Sequence, residues 1–143
     1  MARGQGVKSY NTILDVQTRF RDTDAMGHIN NAVYLSYLET ARFEYVRQVL
    51  GVTRHQDVGF ILARTEIDYR SPAFQGETLT VGARVTRLGG ASFDMDYRIE
   101  EKTTGRLVAE AKSVQVAYDY EKGKVKKLAV DFRAKVRAHD GLA

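Results

Sequence analysis

Residues 20–34 read Phe20-Arg21-Asp22-Thr23-Asp24-Ala25-Met26-Gly27-His28-Ile29-Asn30-Asn31-Ala32-Val33-Tyr34. Two carboxylates, an imidazole and two amides fall in a single turn. Before it, residues 13–21 alternate. Leu14, Val16, Thr18 and Phe20 share one face, and Asp15, Gln17, Arg19 and Arg21 the other, which predicts a half-buried strand. After it, residues 31–50 carry Tyr34, Leu38, Ala41, Tyr45 and Val49 at helical spacing. Val33, Leu35, Tyr37 and Val46 widen that stripe, so the first half of the helix is apolar nearly all round and must be covered on most sides. Asn30 or Asn31 suits the N-cap, and Gly51 suits the position just past the last turn.

Beyond the helix the period changes to two. Ile61, Ala63, Thr65, Ile67 and Tyr69 define one strand, stopped at Ser71-Pro72 by the only proline. Leu79, Val81, Ala83 and Val85 define the next, and Gly89-Gly90 is a hairpin signal. Phe93, Met95, Tyr97 and Ile99 alternate with polar residues. The last long strand starts with Leu107, Ala109 and Ala111, then moves its apolar residues to Val114, Val116 and Tyr118, which implies a bulge or a two-sided strand. A short helix over about 129–138 is weakly signalled. The order is strand, helix, then four strands. Short turns favour antiparallel pairing, and one long apolar helix needs one sheet to cover it. The expected fold class is α+β, a curved antiparallel five-stranded sheet around a central helix. One domain spans 1–143, with its core at about 12–120 and a polar N-terminal tail.

Composition narrows the functional classes. Of 143 residues 43% are hydrophobic, enough for a core, and there is no cysteine. Thiolate metal sites and cysteine nucleophiles are thereby excluded, and a cytoplasmic setting is expected. No apolar run is long enough to span a membrane. The net charge is +4, with basic residues dispersed apart from one denser tract at Lys122, Lys124, Lys126, Lys127, Arg133, Lys135 and Arg137. That density and the lack of a motif argue against nucleic acid; a solvated surface or attraction for an anionic small molecule remains.

The turn itself offers several chemistries. Its D-x-D-x-x-G opening resembles a calcium loop, but Met26 and Val33 occupy positions where ligands are needed. Asp22, Asp24 and His28 make a thin metal set without a second histidine, so no metal is expected. A helix N-terminus presents unpaired N–H groups and partial positive charge. A carboxylate beside such an end can attack a carbonyl or activate water while the N–H groups hold an oxyanion. Read as plain structure, Asp22 is a turn and capping residue, His28 a hydrogen-bonded turn residue, and Glu39 and Arg42 an i,i+3 ion pair or a contact across a subunit boundary.

Asp22-Thr23-Asp24-Ala25-Met26-Gly27-His28-Ile29-Asn30-Asn31, followed by Tyr34-Leu35 and Glu39-Thr40-Ala41-Arg42, closely resembles the hot-dog-fold thioesterases of the 4-hydroxybenzoyl-CoA thioesterase type and their acyl-CoA relatives. The resemblance covers about residues 12–120. It implies hydrolysis of an acyl thioester. Asp24 matches the family's catalytic carboxylate, as general base or nucleophile. The thioester oxygen would meet helix-start N–H groups near Asn31, and His28 would orient substrate or water. Gly27, Asn30 and Tyr34 would line the substrate site.

For the coenzyme A portion, the loop Arg87-Leu88-Gly89-Gly90-Ala91-Ser92 offers exposed N–H groups, a charge and a hydroxyl, with Arg87, Gly89, Gly90 and Ser92 the candidates. Arg64 and Thr65 are further pocket candidates. No cofactor is expected, since coenzyme A is part of the substrate. The resemblance also implies a homodimer or homotetramer, and an uncovered sheet edge agrees with it. An acyl-carrier-protein thioesterase and a non-catalytic acyl-CoA-binding module are the alternatives.

Overall fold

A computed structural model describes residues 6–143. Strand β1 is Thr12–Gln17, followed by the turn and helix α1, Val33–Leu50. Strands β2 (Phe60–Tyr69), β3 (Thr78–Leu88), β4 (Ser92–Glu101) and β5 (Leu107–Asp119) follow. A two-residue strand β6 (Lys124–Val125) and helix α2 (Val130–Asp140) end the described chain. The sheet runs β1-β3-β4-β5-β2, with β6 added on β5, and every pairing is antiparallel. This is the hot-dog fold.

Helix α1 lies in the hollow of the sheet because both surfaces are apolar. It buries Tyr34, Tyr37, Leu38, Ala41, Tyr45 and Val46, spaced by three or four residues along one side. Below it the inward residues of β3 (Leu79, Val81, Ala83, Val85) and β4 (Phe93, Met95, Tyr97, Ile99) are nearly inaccessible. The helix stops at Gly51, whose φ of 73° and N–H bond to the Arg47 carbonyl close the last turn. Helix α2 buries Phe132 and Val136. The carboxylate of Asp140 at its end accepts from the Tyr45 hydroxyl (2.5 Å) and the Val85 N–H (2.9 Å), clamping α2 to both α1 and β3.

Three sequence expectations are corrected. The first strand ends at Gln17, not residue 21: the Thr18 hydroxyl turns inward to the Phe74 and Glu77 carbonyls (2.8 and 2.9 Å). Phe20 then enters a 3-10 turn and is 75% exposed. Strand β2 does not pair with its successor β3. The connection through Pro72 carries the chain across, and β2 adds to β5 at the edge opposite β1. Glu39 and Arg42 form no ion pair among the described residues; Arg42 donates instead to the Tyr97 hydroxyl (3.3 Å).

The parity change in β5 resolves as the two-sided strand. Ala109, Ala111, Ser113, Gln115 and Ala117 are all buried, so the inward face never switches and two polar residues occupy it. A register irregularity does occur between Ile99 and Glu100 of β4, opposite Ala109 and Leu107. It leaves Val108 and Ala109 buried side by side.

On the outer face, Tyr10 lies flat over Gly82. A Cβ at Gly82 would sit 2.7 Å from Cγ of Tyr10, the rigid base of that ring, and the ring also receives Arg84 at 4.4 Å from its centroid. Gly82→Ala is expected to displace Tyr10 and destabilise the fold by about 1–3 kcal/mol. Urea unfolding checks it, and an unchanged midpoint would show that Tyr10 yields freely.

Candidate active site

The turn of residues 20–31 separates its two carboxylates. Asp22 points inward and is 3% exposed. It accepts from the Arg19 backbone N–H (3.0 Å), the Arg19 guanidinium (3.1 Å) and the Tyr37 hydroxyl (2.9 Å). Burial raises its pKa, but the Arg19 and Tyr37 hydrogen bonds outweigh this and hold the carboxyl below its ordinary 3.8. The backbone carbonyl of Asp22 also accepts the Asn30 N–H (2.8 Å), which closes the loop. Asp22 is thus the structural member of the pair.

Asp24 points outward and is exposed. Its Oδ1 accepts the N–H groups of Met26 (2.8 Å) and His28 (3.3 Å), an Asx-type turn that fixes the carboxyl group. Its Oδ2 has no hydrogen-bond partner among the described residues. The backbone reinforces the position: Asp24 N–H donates to the His28 carbonyl (2.8 Å), and Gly27 N–H donates to the Asp24 carbonyl (3.1 Å). Gly27 has φ of 81°, a conformation that favours glycine, and nothing lies within 4 Å of where its Cβ would be.

The loop after Pro72 supports the turn from below. Ile29 N–H donates to the Ala73 carbonyl (2.8 Å), and the His28 ring meets Phe74 edge-on at 5.2 Å. The helix N-cap is Ala32, not Asn30 or Asn31; Asn30 instead closes the turn before it, its Oδ1 accepting the Ala32 N–H (2.9 Å). The Asn31 carbonyl accepts the Tyr69 hydroxyl (2.9 Å), while the Asn31 N–H has no partner among the described residues. Tyr34 is core, packed edge-on against Tyr37 and Tyr69.

Asp24, Gly27, His28, Asn30, Asn31 and Tyr34 therefore gather at the start of α1. The others do not. Arg64 faces outward and pairs with Glu66 (3.4 Å), whereas Thr65 faces inward opposite Ser113. Arg87 is engaged by Asp94 (2.9 Å) and donates to the Ser92 hydroxyl (3.3 Å). Gly89 and Gly90 direct their carbonyls to Arg133 (2.6 Å) and the Leu128 N–H (2.9 Å). This hairpin sits at the end of β3 away from the turn, with the eleven residues of that strand, at most about 35 Å of chain, between them.

Two concavities escaped the sequence reading. One, of about 560 Å³, lies between β1 and α1 beside the turn, with Arg19, Arg21, Ser36 and Thr40 in its wall. The other, of about 290 Å³, lies under the middle of α1 and is walled largely by Phe43, Phe60, Phe93 and Phe132. Arg19 and Arg21 read from sequence only as the wet side of a strand. The aromatic residues come from four separate elements, so no local pattern joins them. Among the described residues no group of three or more His, Asp or Glu side chains is placed to hold a metal.

Fold and turn together define a hot-dog protein with a fixed, solvent-facing carboxylate at the start of its central helix. Residues 18–137 match the thioesterase-like superfamily, and the chain belongs to that family of thioester hydrolases. It is 29% identical over 124 residues to the long-chain acyl-CoA thioesterase FadM of Escherichia coli, covering 85% of this chain and 93% of that protein. It is 31% identical over 129 residues to the acyl-CoA thioesterase YbgC of Haemophilus influenzae, covering 87% and 91%. A solved thioesterase of Thermus thermophilus, complexed with coenzyme A and zinc, superposes with a TM-score of 0.83 at 33% identity, covering 92% of this chain and 96% of that one.

Tyr37→Phe removes a donor from the buried Asp22 carboxylate and is expected to cost about 1–3 kcal/mol. Because Asp22 is depressed below 3.8, its contribution to stability is complete above that pH and is lost as the pH falls through the folded value. Thermal melts from pH 6 to pH 2 should show the mutant losing less stability on acidification than wild type. Parallel curves would show that Tyr37 does not hold the Asp22 charge.

Proposed function

We propose that the protein is an acyl-CoA thioesterase, releasing a free acid and coenzyme A, with Asp24 as its catalytic carboxylate. One observation carries the reading. Backbone N–H groups lock one Asp24 oxygen while the other, on an exposed residue, has no partner among the described residues, beside a helix start where the Asn31 N–H has none among them either.

Two routes use this arrangement. As general base, Asp24 Oδ2 takes a proton from water, the water oxygen bonds to the thioester carbon, and the C–S bond breaks to release the thiolate. As nucleophile, Oδ2 itself bonds to that carbon and expels the thiolate; water then opens the mixed anhydride. In either route the developing oxyanion is met by the Asn31 N–H and the helix dipole. Gly27 keeps the approach clear, the His28 ring borders it, and Asn30 and Tyr34 hold the helix start in place.

The names of FadM and YbgC support the acyl-CoA substrate. The separation of turn and hairpin in one chain supports a site completed by a second copy, with the partner's equivalent of the Arg87–Ser92 loop taking the nucleotide end. Strand β2 is the fitting edge for that copy. It leaves one side of its backbone unpaired and exposes Ile61, Leu62 and Tyr69 at 37–48%, so a homodimer, or a tetramer of such pairs, would continue the sheet. No described helix is long and apolar enough to cross a membrane, and a chain without cysteine suits the cytoplasm. The net charge of +4 favours an acidic acyl-carrier protein as the second reading.

Asp24→Asn is expected to lower kcat for thiol release from acyl-CoA by about 10²- to 10⁴-fold, with the circular dichroism spectrum unchanged. Equal rates would remove Asp24 from the chemistry. Turnover only of carrier-bound acyl groups would select the second reading. Sedimentation should give a dimer or tetramer, and a monomer with full activity would refute the shared site.

A further inference from the structure

The cavity under the middle of α1 has a polar side that the proposed hydrolysis does not use. Its rim carries the exposed Glu39 and His55, but deeper in the wall Arg42 and Gln115 interrupt the aromatic lining. These two belong to an ordered chain of hydrogen bonds. Arg42 donates to the Tyr97 hydroxyl (3.3 Å), which bonds to the Ser113 hydroxyl (2.6 Å). Ser113 in turn donates to Gln115 Oε1, and Gln115 Nε2 donates to the Phe93 carbonyl (3.2 Å). With the Ser113 proton spent on Gln115, the proton between Tyr97 and Ser113 comes from Tyr97.

The acceptors along this chain are consequently occupied, and donors are left over. Arg42 is half-buried, and no carboxylate among the described residues lies within ion-pair reach of it, although most of the described arginines are paired. Gln115, 3% exposed, keeps a second amide hydrogen. Thr65 stands across the ladder from Ser113, one inward position beyond the cavity-lining Leu62. Its Oγ1 is the buried side-chain polar atom without a hydrogen-bond partner among the described residues. Buried polar groups are normally satisfied; one unpartnered hydroxyl next to Ser113, with spare hydrogens on Gln115 and Arg42 in the wall of a largely apolar cavity, is complementary to an acceptor oxygen on a ligand.

Position fixes where on the ligand that oxygen lies. Glu39, the first α1 residue in the cavity wall, is six residues past Val33, about 9 Å along the helix from the catalytic turn. A dry cavity of about 150 Å³ holds a benzene ring, so about 290 Å³ holds the far part of a medium-length acyl group. We infer that the preferred acyl group carries an acceptor oxygen, a hydroxyl or a carboxylate, near the end remote from the thioester, and that Thr65, Gln115 and Arg42 are the specificity residues that read it. This rests on the acyl-thioesterase reading above.

Three eight-carbon thioesters test it: octanoyl-CoA, 8-hydroxyoctanoyl-CoA and 7-carboxyheptanoyl-CoA, each measured for kcat/KM and for binding to the full chain. At least one oxygenated substrate should exceed octanoyl-CoA roughly tenfold or more, the discrimination expected of a site built to hydrogen-bond its ligand. Preference for the carboxylate would put Arg42 foremost, and preference for the hydroxyl would put Gln115 and Thr65 foremost. Thr65→Val, which breaks no hydrogen bond among the described residues, and Gln115→Leu should each shrink the oxygenated-to-plain ratio several-fold, with the Thr65→Val melting point at or above that of wild type. Octanoyl-CoA equal to or better than both analogues in wild type would overturn the inference whether or not the variants fold. A ratio unmoved by either substitution would overturn the residue assignment. Preference in binding without turnover of any substrate would sink the hydrolase reading and leave this inference standing.

Discussion

The buried carboxylate of Asp22 joins the turn of residues 20–31 to the central helix. It is bonded to Tyr37 on α1 and to Arg19 at the far side of the same turn, so neither end of the loop can move without disturbing a charge held away from water. With that anchor set, the next residue but one must point the other way. Asp24 is delivered to the surface, and its own carboxyl group is oriented by the turn it closes. One aspartate is immobilised as structure, and its neighbour is presented to solvent.

How much of this could be read beforehand depends on how local each determinant is. Helix α1, its glycine stop and the β3–β4–β5 meander are written in short-range periodicity, and the structure keeps them within a few residues. The end of β1 has no local signature: Thr18 and Phe20 continue the alternation, whereas the carbonyls that capture Thr18 lie far along the chain at Phe74 and Glu77. Likewise, Ser113 and Gln115 look like the solvent side of β5 until Tyr97, Arg42 and the Phe93 carbonyl are seen to satisfy them. The place of β2 at the far edge has no local signature, because residues 70–77 do not state which neighbour the strand will take.

The same distinction holds for the site. Its turn is contiguous, and the family resemblance that the turn carries is borne out by the match over residues 18–137. The cavity draws on α1, β2, β4, β5 and α2, and only folding brings those residues together. Asp22 and Asp24, two positions apart and identical in type, are told apart by burial and bonding.

The strand order β1-β3-β4-β5-β2 bears on how the chain acquires its shape during synthesis. Strands β1 and β2 are neighbours in sequence on either side of α1, yet they end on opposite edges and never touch in the ladder. When α1 leaves the ribosome, only β1 is present to receive its tyrosines and leucines. The hollow that covers it is built from β3, β4 and β5, which end at Asp119. Until then roughly seventy further residues must emerge behind an apolar helix, and the contacts that finally close are long-range ones, the kind that form slowly. The most interaction-prone segment of the nascent chain is therefore also the one that the finished fold hides most deeply, and its protection in that interval depends on other molecules or on the speed of translation.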